Sequence, residues 1–174
     1  MIGRRMISRL LCLVVLALLL SGCTEKLETK KVQFETLDRG ESLAIDPENP
    51  ESLEKPTIFV ANNAKETDVF IRFLKLLKPT VIEQIKKVDF NKTTIIMVVR
   101  GKVESSGYGI TIQEINQNSD VDIKVKLTES DPERAVSPKI MYPYHIVLIP
   151  KKLYNGINLT VYTQYGTILT TKYY

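Results

Sequence analysis

Cysteine, histidine and tryptophan are nearly missing from this chain. Its 174 residues hold two Cys, one His and no Trp. Each shortage excludes a class of chemistry. Cys12 and Cys23 cannot build a Cys-based structural metal site, which takes three or four ligands. His145, being alone, lacks the companions of a histidine metal centre and would need a nucleophile and an orienting carboxylate to act as a general base. A long apolar run is missing too. The longest, Leu10 to Leu20, falls well short of the roughly 20 residues that cross a bilayer.

What surrounds that run gives it a meaning. Arg4, Arg5 and Arg9 precede it as a basic region, and Leu20-Ser21-Gly22-Cys23 closes it before the chain turns charged at "TEK". This order suits a secretory signal, and the last four residues resemble the lipobox of bacterial-type lipoproteins. The lipobox resemblance implies removal of residues 1–22 and acylation of Cys23, with palmitate among the acyl groups. The expected location is the cell membrane, lipid-anchored and facing outside the cytoplasm. Residues 23–31 then form a lipidated spacer, and residues 32–174 a single β-rich domain.

Removing the leader takes three of the 24 basic residues and none of the 20 acidic ones, leaving a net charge of +1. Phosphate binding needs a concentrated basic face, so nucleic acid is excluded as a partner. With Cys12 removed and Cys23 acylated, no thiol remains for a disulfide or a nucleophile. Stability must come from burial.

The patterning predicts an α+β fold, mostly antiparallel sheet with one helical segment, about 65–87, packed on a face. "KVQFETLDRG" reads as an edge strand ended by Gly40, and "TIFVAN" as a short strand. Val69, Phe70, Phe73, Leu74 and Leu77 recur at helical spacing, and Pro79 ends that helix or starts a second one where Val81, Ile82 and Ile85 repeat the pattern. "KTTIIMVVRG" suits a central strand buried on both faces. "GYGITIQEI" and "VDIKVKLT" alternate around a hairpin turn at "NQNSD". "DPERAVSPK" is a loop, "YHIVLIP" a buried strand, and "NLTVYTQYGTILTTKYY" a closing hairpin turning near Tyr165-Gly166.

Several of these pieces, in order, resemble the C-terminal domain of PrcB, a lipoprotein subunit of a spirochaete surface-protease complex. They are "FETLDRGES", "VDFNKTTIIMVVRGKVESSGYGITIQEI" and "YPYHIVLIPKK", from about residue 32 to 152. Asp89-Phe90, Gly107-Tyr108 and Pro143-Tyr144-His145-x-Val147 carry it most firmly. Ser105-Ser106 stand where members often have Thr-Gly. The resemblance implies a non-catalytic subunit supporting a protease, with no cofactor.

The remaining chemical candidates reduce to structural parts. His145, set among apolar strand residues, reads as a sheet histidine whose ring nitrogen meets a backbone or carboxylate partner. "NQNSDVD" spaces oxygens like a calcium loop, yet Val121 and Leu127 stand where such a loop requires Gly and Glu, and no metal is expected. Gly107-Tyr108-Gly109 leads into a strand, whereas phosphate loops lead into a helix. Asn91-Lys92-Thr93 and Asn158-Leu159-Thr160 are glycosylation sequons. The expectation is therefore a binding or accessory module. Its expected interaction surface is the turn at Ser106, Gly107 and Tyr108 together with the tyrosine-rich end, Tyr162 and Tyr165 above all, because tyrosine suits interfaces. The expected partners are the membrane, through the anchor, and a protein such as a secreted protease. The alternative is a lipoprotein binding a small molecule or glycan, which requires a concave pocket.

Overall fold

The structure, a computed structural model, describes residues 29–42, 53–73, 79–119, 122–133, 137–151, 158–166 and 168–169. The leader, Cys23, and Tyr173 and Tyr174 lie outside the described residues.

Among the described residues, two sheets and two helices make three layers. The inner sheet has the order β2-β8-β4-β3, built from β2 (Glu35–Ser42), β8 (Pro138–Pro150), β4 (Thr93–Val99) and β3 (Thr57–Ala61), with β5 (Val103–Ser105) beside β8. All its pairings are antiparallel. The outer sheet has the order β1-β6-β7-β9-β10, from β1 (Lys30–Lys31), β6 (Gly109–Ser119), β7 (Asp122–Ser130), β9 (Asn158–Thr163) and β10 (Ile168–Leu169). Helices α1 (Ala64–Phe73) and α2 (Pro79–Lys86) accompany the inner sheet.

The sandwiched position of the inner sheet explains its sequence. Ile96, Val98, Val147 and Ile149 point to the outer sheet and meet Ile110, Ile112, Ile115, Ile123, Val125 and Leu127. Their neighbours Ile95, Met97, Val99, Tyr144 and Ile146 point the other way, packing with Val81 and Ile85 of α2. A strand buried on both faces has no polar side to show, so β4 reads as an unbroken apolar run. The outer sheet is covered on one face only, and β7 therefore alternates, with Lys124 exposed between buried Ile123 and Val125. Each fully buried Ile or Val contributes about 1.5–3 kcal/mol.

The expected α+β architecture is present, with differences in detail. Pro79 starts a second helix, as its missing N–H permits at a first helical position. Val81 and Ile85 are buried, whereas the side chains of Val69, Phe73 and Leu77 lie outside the described residues. Asn63 caps α1, its Oδ1 accepting from the Glu66 N–H at 3.0 Å while the Glu66 carboxylate accepts from the Asn62 N–H at 2.7 Å.

Gly40 does not end its strand. β2 continues to Ser42, with Gly40 paired to Tyr144 of β8 and the ladder unbroken through Glu41 and Ser42. The loop after Asp131 is shorter than expected, since β8 begins at Pro138 and pairs there with β5. The "NQNSD" segment is mostly strand, with Asn116 paired to Lys124 and Ser119 to Asp122. The closing hairpin turns at Gly166, whose φ of 78° favours glycine. Its first strand, β9, runs parallel to β7. Alternation along a strand does not reveal the direction of its neighbour.

Candidate functional site

The sequence's candidates fall into two places. One is a polar seam inside the sandwich, around His145. The other is a rim of turns at one end of the sheets, around Gly107, Tyr108 and Tyr165.

His145 is 2 % exposed. Its Nδ1 accepts the Ile112 N–H at 2.9 Å, and its Nε2 lies 3.0 Å from the Thr36 hydroxyl. An accepting Nδ1 fixes the neutral ring with its proton on Nε2, so Nε2–H donates to Thr36. Burial first and the Arg39 charge second, opposed by Asp38, bring the imidazole pKa down to about 4. The ring thus ties three strands, β2, β6 and β8, from both nitrogens. It has neither proton nor lone pair left for catalysis, as the sheet-histidine reading expects.

Tyr144, one residue away, faces the helices. Its hydroxyl donates to Asp38 Oδ2 at 2.6 Å, and burial with this carboxylate holds the phenol far above its usual pKa. A bulge in β2 lets one strand serve both side chains. Thr36 pairs with Val147 and Asp38 with Ile146, so Leu37 is the extra residue. Were residues 36–38 a regular strand, Asp38 would share the face of His145; the bulge turns Asp38 to Tyr144 while Thr36 keeps the histidine. Arg39, carried to the sandwich side, donates to Thr111 Oγ1 at 3.2 Å.

The rim is organised by Arg100, which no motif announced. Its side chain is 14 % exposed and leaves the end of β4 for the outer sheet. There it donates to Ser130 O and Asp131 Oδ1, both at 2.6 Å, and faces Glu129 at 3.5 Å. The same guanidinium lies 4.7 Å from the centre of the Tyr108 ring, a cation–π distance. Gly107, at φ 89°, donates its N–H to the Glu41 carboxylate at 2.7 Å. Gly109 passes so close to Ser130 that a Cβ would lie 2.5 Å from its hydroxyl oxygen.

The hairpin joins the same rim. Gln164 completes the β7–β9 pairing with its side chain, accepting from the Glu129 N–H at 2.7 Å and donating to Glu129 O at 2.8 Å. Next to it, Tyr165 is 76 % exposed. A chain of contacts therefore runs from Tyr108 through Arg100, Glu129 and Gln164 to Tyr165. Of the expected surface residues, Gly107 and Tyr165 are exposed, while Ser106 and Tyr108 are half-buried. Tyr162 lies away from the rim: it is half-buried on the open face of the outer sheet, paired with Lys126.

At the opposite end, two adjoining open grooves of about 380 and 390 Å³ share Glu35, Thr93 and Leu148. Asp89 borders one of them. It accepts from the Asn91 N–H at 3.0 Å and meets Lys92 at 3.3 Å, and the same two partners hold its carboxyl below the ordinary value. Asp89-Phe90 thus shapes the turn into β4. Lys151 donates to Phe90 O at 2.6 Å and Asn62 O at 3.0 Å. Among the described residues, no group of three or more His, Cys, Asp or Glu could hold a metal ion, and no helix is long and apolar enough to cross a membrane.

Comparison with known proteins places a family on part of this frame. Residues 94–150 match the family model described as PrcB C-terminal, about a third of the chain. The matched segment runs from β4 through β8 and holds Gly107-Tyr108 and Pro143 to Val147. It is narrower than the expected 32–152, leaving "FETLDRGES" and Asp89-Phe90 outside. No curated protein and no solved structure matches the chain.

Proposed function

We propose that this chain, with its PrcB C-terminal segment at residues 94–150, is an extracytoplasmic lipoprotein held to the membrane through Cys23. It works as a non-catalytic accessory module through protein contacts, in support of a secreted or surface protease. The family match is the observation that carries this reading. Two features support it. The buried polar groups His145 and Tyr144 are spent on structural bonds, and the exposed turns at Gly107 and Tyr165 lie on one rim. The anchor rests on the lipobox resemblance at Leu20 to Cys23.

Gentle solubilisation of the envelope and capture on a C-terminal tag is expected to recover a stoichiometric protein partner. Cys23→Ala is expected to abolish palmitate labelling and release the chain from the membrane fraction. Absence of any stoichiometric partner would overturn the accessory role, and unchanged labelling of the Cys23 variant would overturn the anchor. The two adjoining grooves favour a second reading, a small-molecule or glycan site, because their volumes lie in the usual range of such sites, about 300–1,000 Å³. Titration with cell-wall glycan fragments, followed by protein NMR shifts at Leu148 and Thr93, tests it.

A further inference from the structure

The fold has two ends, and the chain enters at only one of them. β1 pairs Lys30 with Gln117 and Lys31 with Asn116, antiparallel to β6. At Lys30 the chain therefore points back toward the Ser119–Asp122 end of the outer sheet. On the inner sheet the same end holds the start of β4 and the end of β8, where Thr93 pairs with Pro150. Arg100, Gly107, Ser130 and Tyr165 lie at the far end. β7 alone, from Asp122 to Ser130, spans about 27 Å at the usual rise per residue.

We infer that the entry end is held against an anionic bilayer surface and contacts its phospholipid headgroups through Lys30, Lys31 and Lys124. The rim of Gly107 and Tyr165 is then presented away from the membrane. This rests on the anchor at Cys23. Seven residue steps separate Cys23 from Lys30, so the tether reaches at most about 25 Å even when fully extended. A domain on so short a leash meets the surface repeatedly, and its entry end meets it first.

Charge decides what happens at that meeting. Lys30, Lys31, Lys92 and Lys124 are all exposed. Lys31, Asn116, Lys124 and Thr160 line one row across the open face of the outer sheet. The acidic groups nearby are partly spent: Asp122 accepts from Asn118 at 3.1 Å, and Asp89 holds the Asn91 N–H and pairs with Lys92, which leaves Lys30, Lys31 and Lys124 as the cations offered to the surface. Among the described residues beside them, Glu35 and Asp89 are exposed carboxylates. At the far end the exposed acids Glu104 and Glu133 stand among the exposed cations Lys102 and Lys139, while Asp131 is paired with Arg100 and Lys102 with Glu54, so no comparable row of unpaired lysines gathers there among the described residues. The attraction acts within a Debye length of about 8 Å, a distance the tether allows.

The test uses the full lipidated chain in lipid vesicles. Once Cys23 is acylated, residues 24–174 contain no thiol, so Asn118→Cys and Tyr165→Cys each carry a single dye. Vesicles of phosphatidylcholine alone are compared with vesicles containing about 30 % phosphatidylglycerol, both with a headgroup quencher. In anionic vesicles, quenching at position 118 is expected to exceed that at position 165 by at least about twofold. That excess is expected to shrink in about 0.5 M salt. Reversing Lys30, Lys31 and Lys124 to Glu should bring position 118 down to its level in neutral vesicles. Equal quenching at the two positions, or an excess indifferent to lipid charge, would overturn the inference while leaving the anchor standing. Failure of the lipidated chain to float with neutral vesicles would instead overturn the anchor, and the inference with it.

Discussion

Replacing His145 with Asn tests whether the ring is a neutral structural bridge. Asn keeps a side-chain acceptor for the Ile112 N–H but cannot titrate, and it cannot span to Thr36. In the parent protein, burial pushes the His145 pKa down to about 4 from the ordinary 6.5. The folded state thus binds its proton less readily than the unfolded chain. The corresponding stabilisation is complete above about pH 6.5, falls as pH drops, and is gone once pH has passed about 4. A depression of this size amounts to about 3 kcal/mol, and the 2 % exposure of the residue means little of it is lost to solvent screening. At about pH 7 the Asn variant should be less stable by about 1–3 kcal/mol, from the lost Thr36 bond and poorer packing. Its stability should change much less between about pH 6.5 and 4.5, so the two proteins converge as pH falls. Urea unfolding followed by tyrosine fluorescence measures this, since the chain has eight Tyr and no Trp. A pH dependence as steep in the variant as in the parent would refute the reasoning, because it would place the titration elsewhere.

The rim and its glycines give two further expectations. Arg100→Met removes the donors to Ser130 O and Asp131, and should cost about 2–3 kcal/mol. It should also speed amide exchange around Gly107, Gly109 and Ser130 more than in β4, which mass spectrometry of exchanged peptides would show. Gly101→Ala puts a Cβ 2.9 Å from the Lys55 carbonyl carbon at a φ of 99°. Backbone strain of that kind costs about 1–3 kcal/mol, visible as a lowered thermal midpoint.

The strands were legible where burial follows a simple period. β4 reads as buried on both faces because TTIIMVV offers no polar side, and β7 reads as half-covered because Lys124 and Lys126 alternate with Ile123, Val125 and Leu127. The bulges were not legible. Between Ile112 and Glu114 the register of β6 shifts, so Ile112 and Ile115 both reach the core three positions apart. A local alternation has no mark for that. The parallel β7–β9 pair and the partner of β5 are likewise long-range choices that no window of neighbouring residues contains. In the candidate site, Gly107 and Tyr165 were legible from turn chemistry. Arg100 was not: a lone Arg after an apolar strand looks like any strand end until Ser130 and Asp131 are brought beside it.

The bulge at Leu37 lets a strand outside residues 94–150 satisfy polar groups buried inside them. His145 and Tyr144 lie within residues 94–150, but the groups that satisfy them, Thr36 and Asp38, lie outside. Neighbouring residues on β8 point to opposite faces, so their partners on a regular β2 would also have to be neighbours. Thr36 and Asp38 are two apart and reach opposite faces only because Leu37 is extra. A buried tyrosine hydroxyl and a buried imidazole are costly without partners. The Pro-Tyr-His segment of β8 is therefore tolerable only beside a strand that supplies an oxygen to each face. In this chain the "FETLDRGES" stretch does so, which gives its place in the expected resemblance a physical reason although the matched residues begin only in β4.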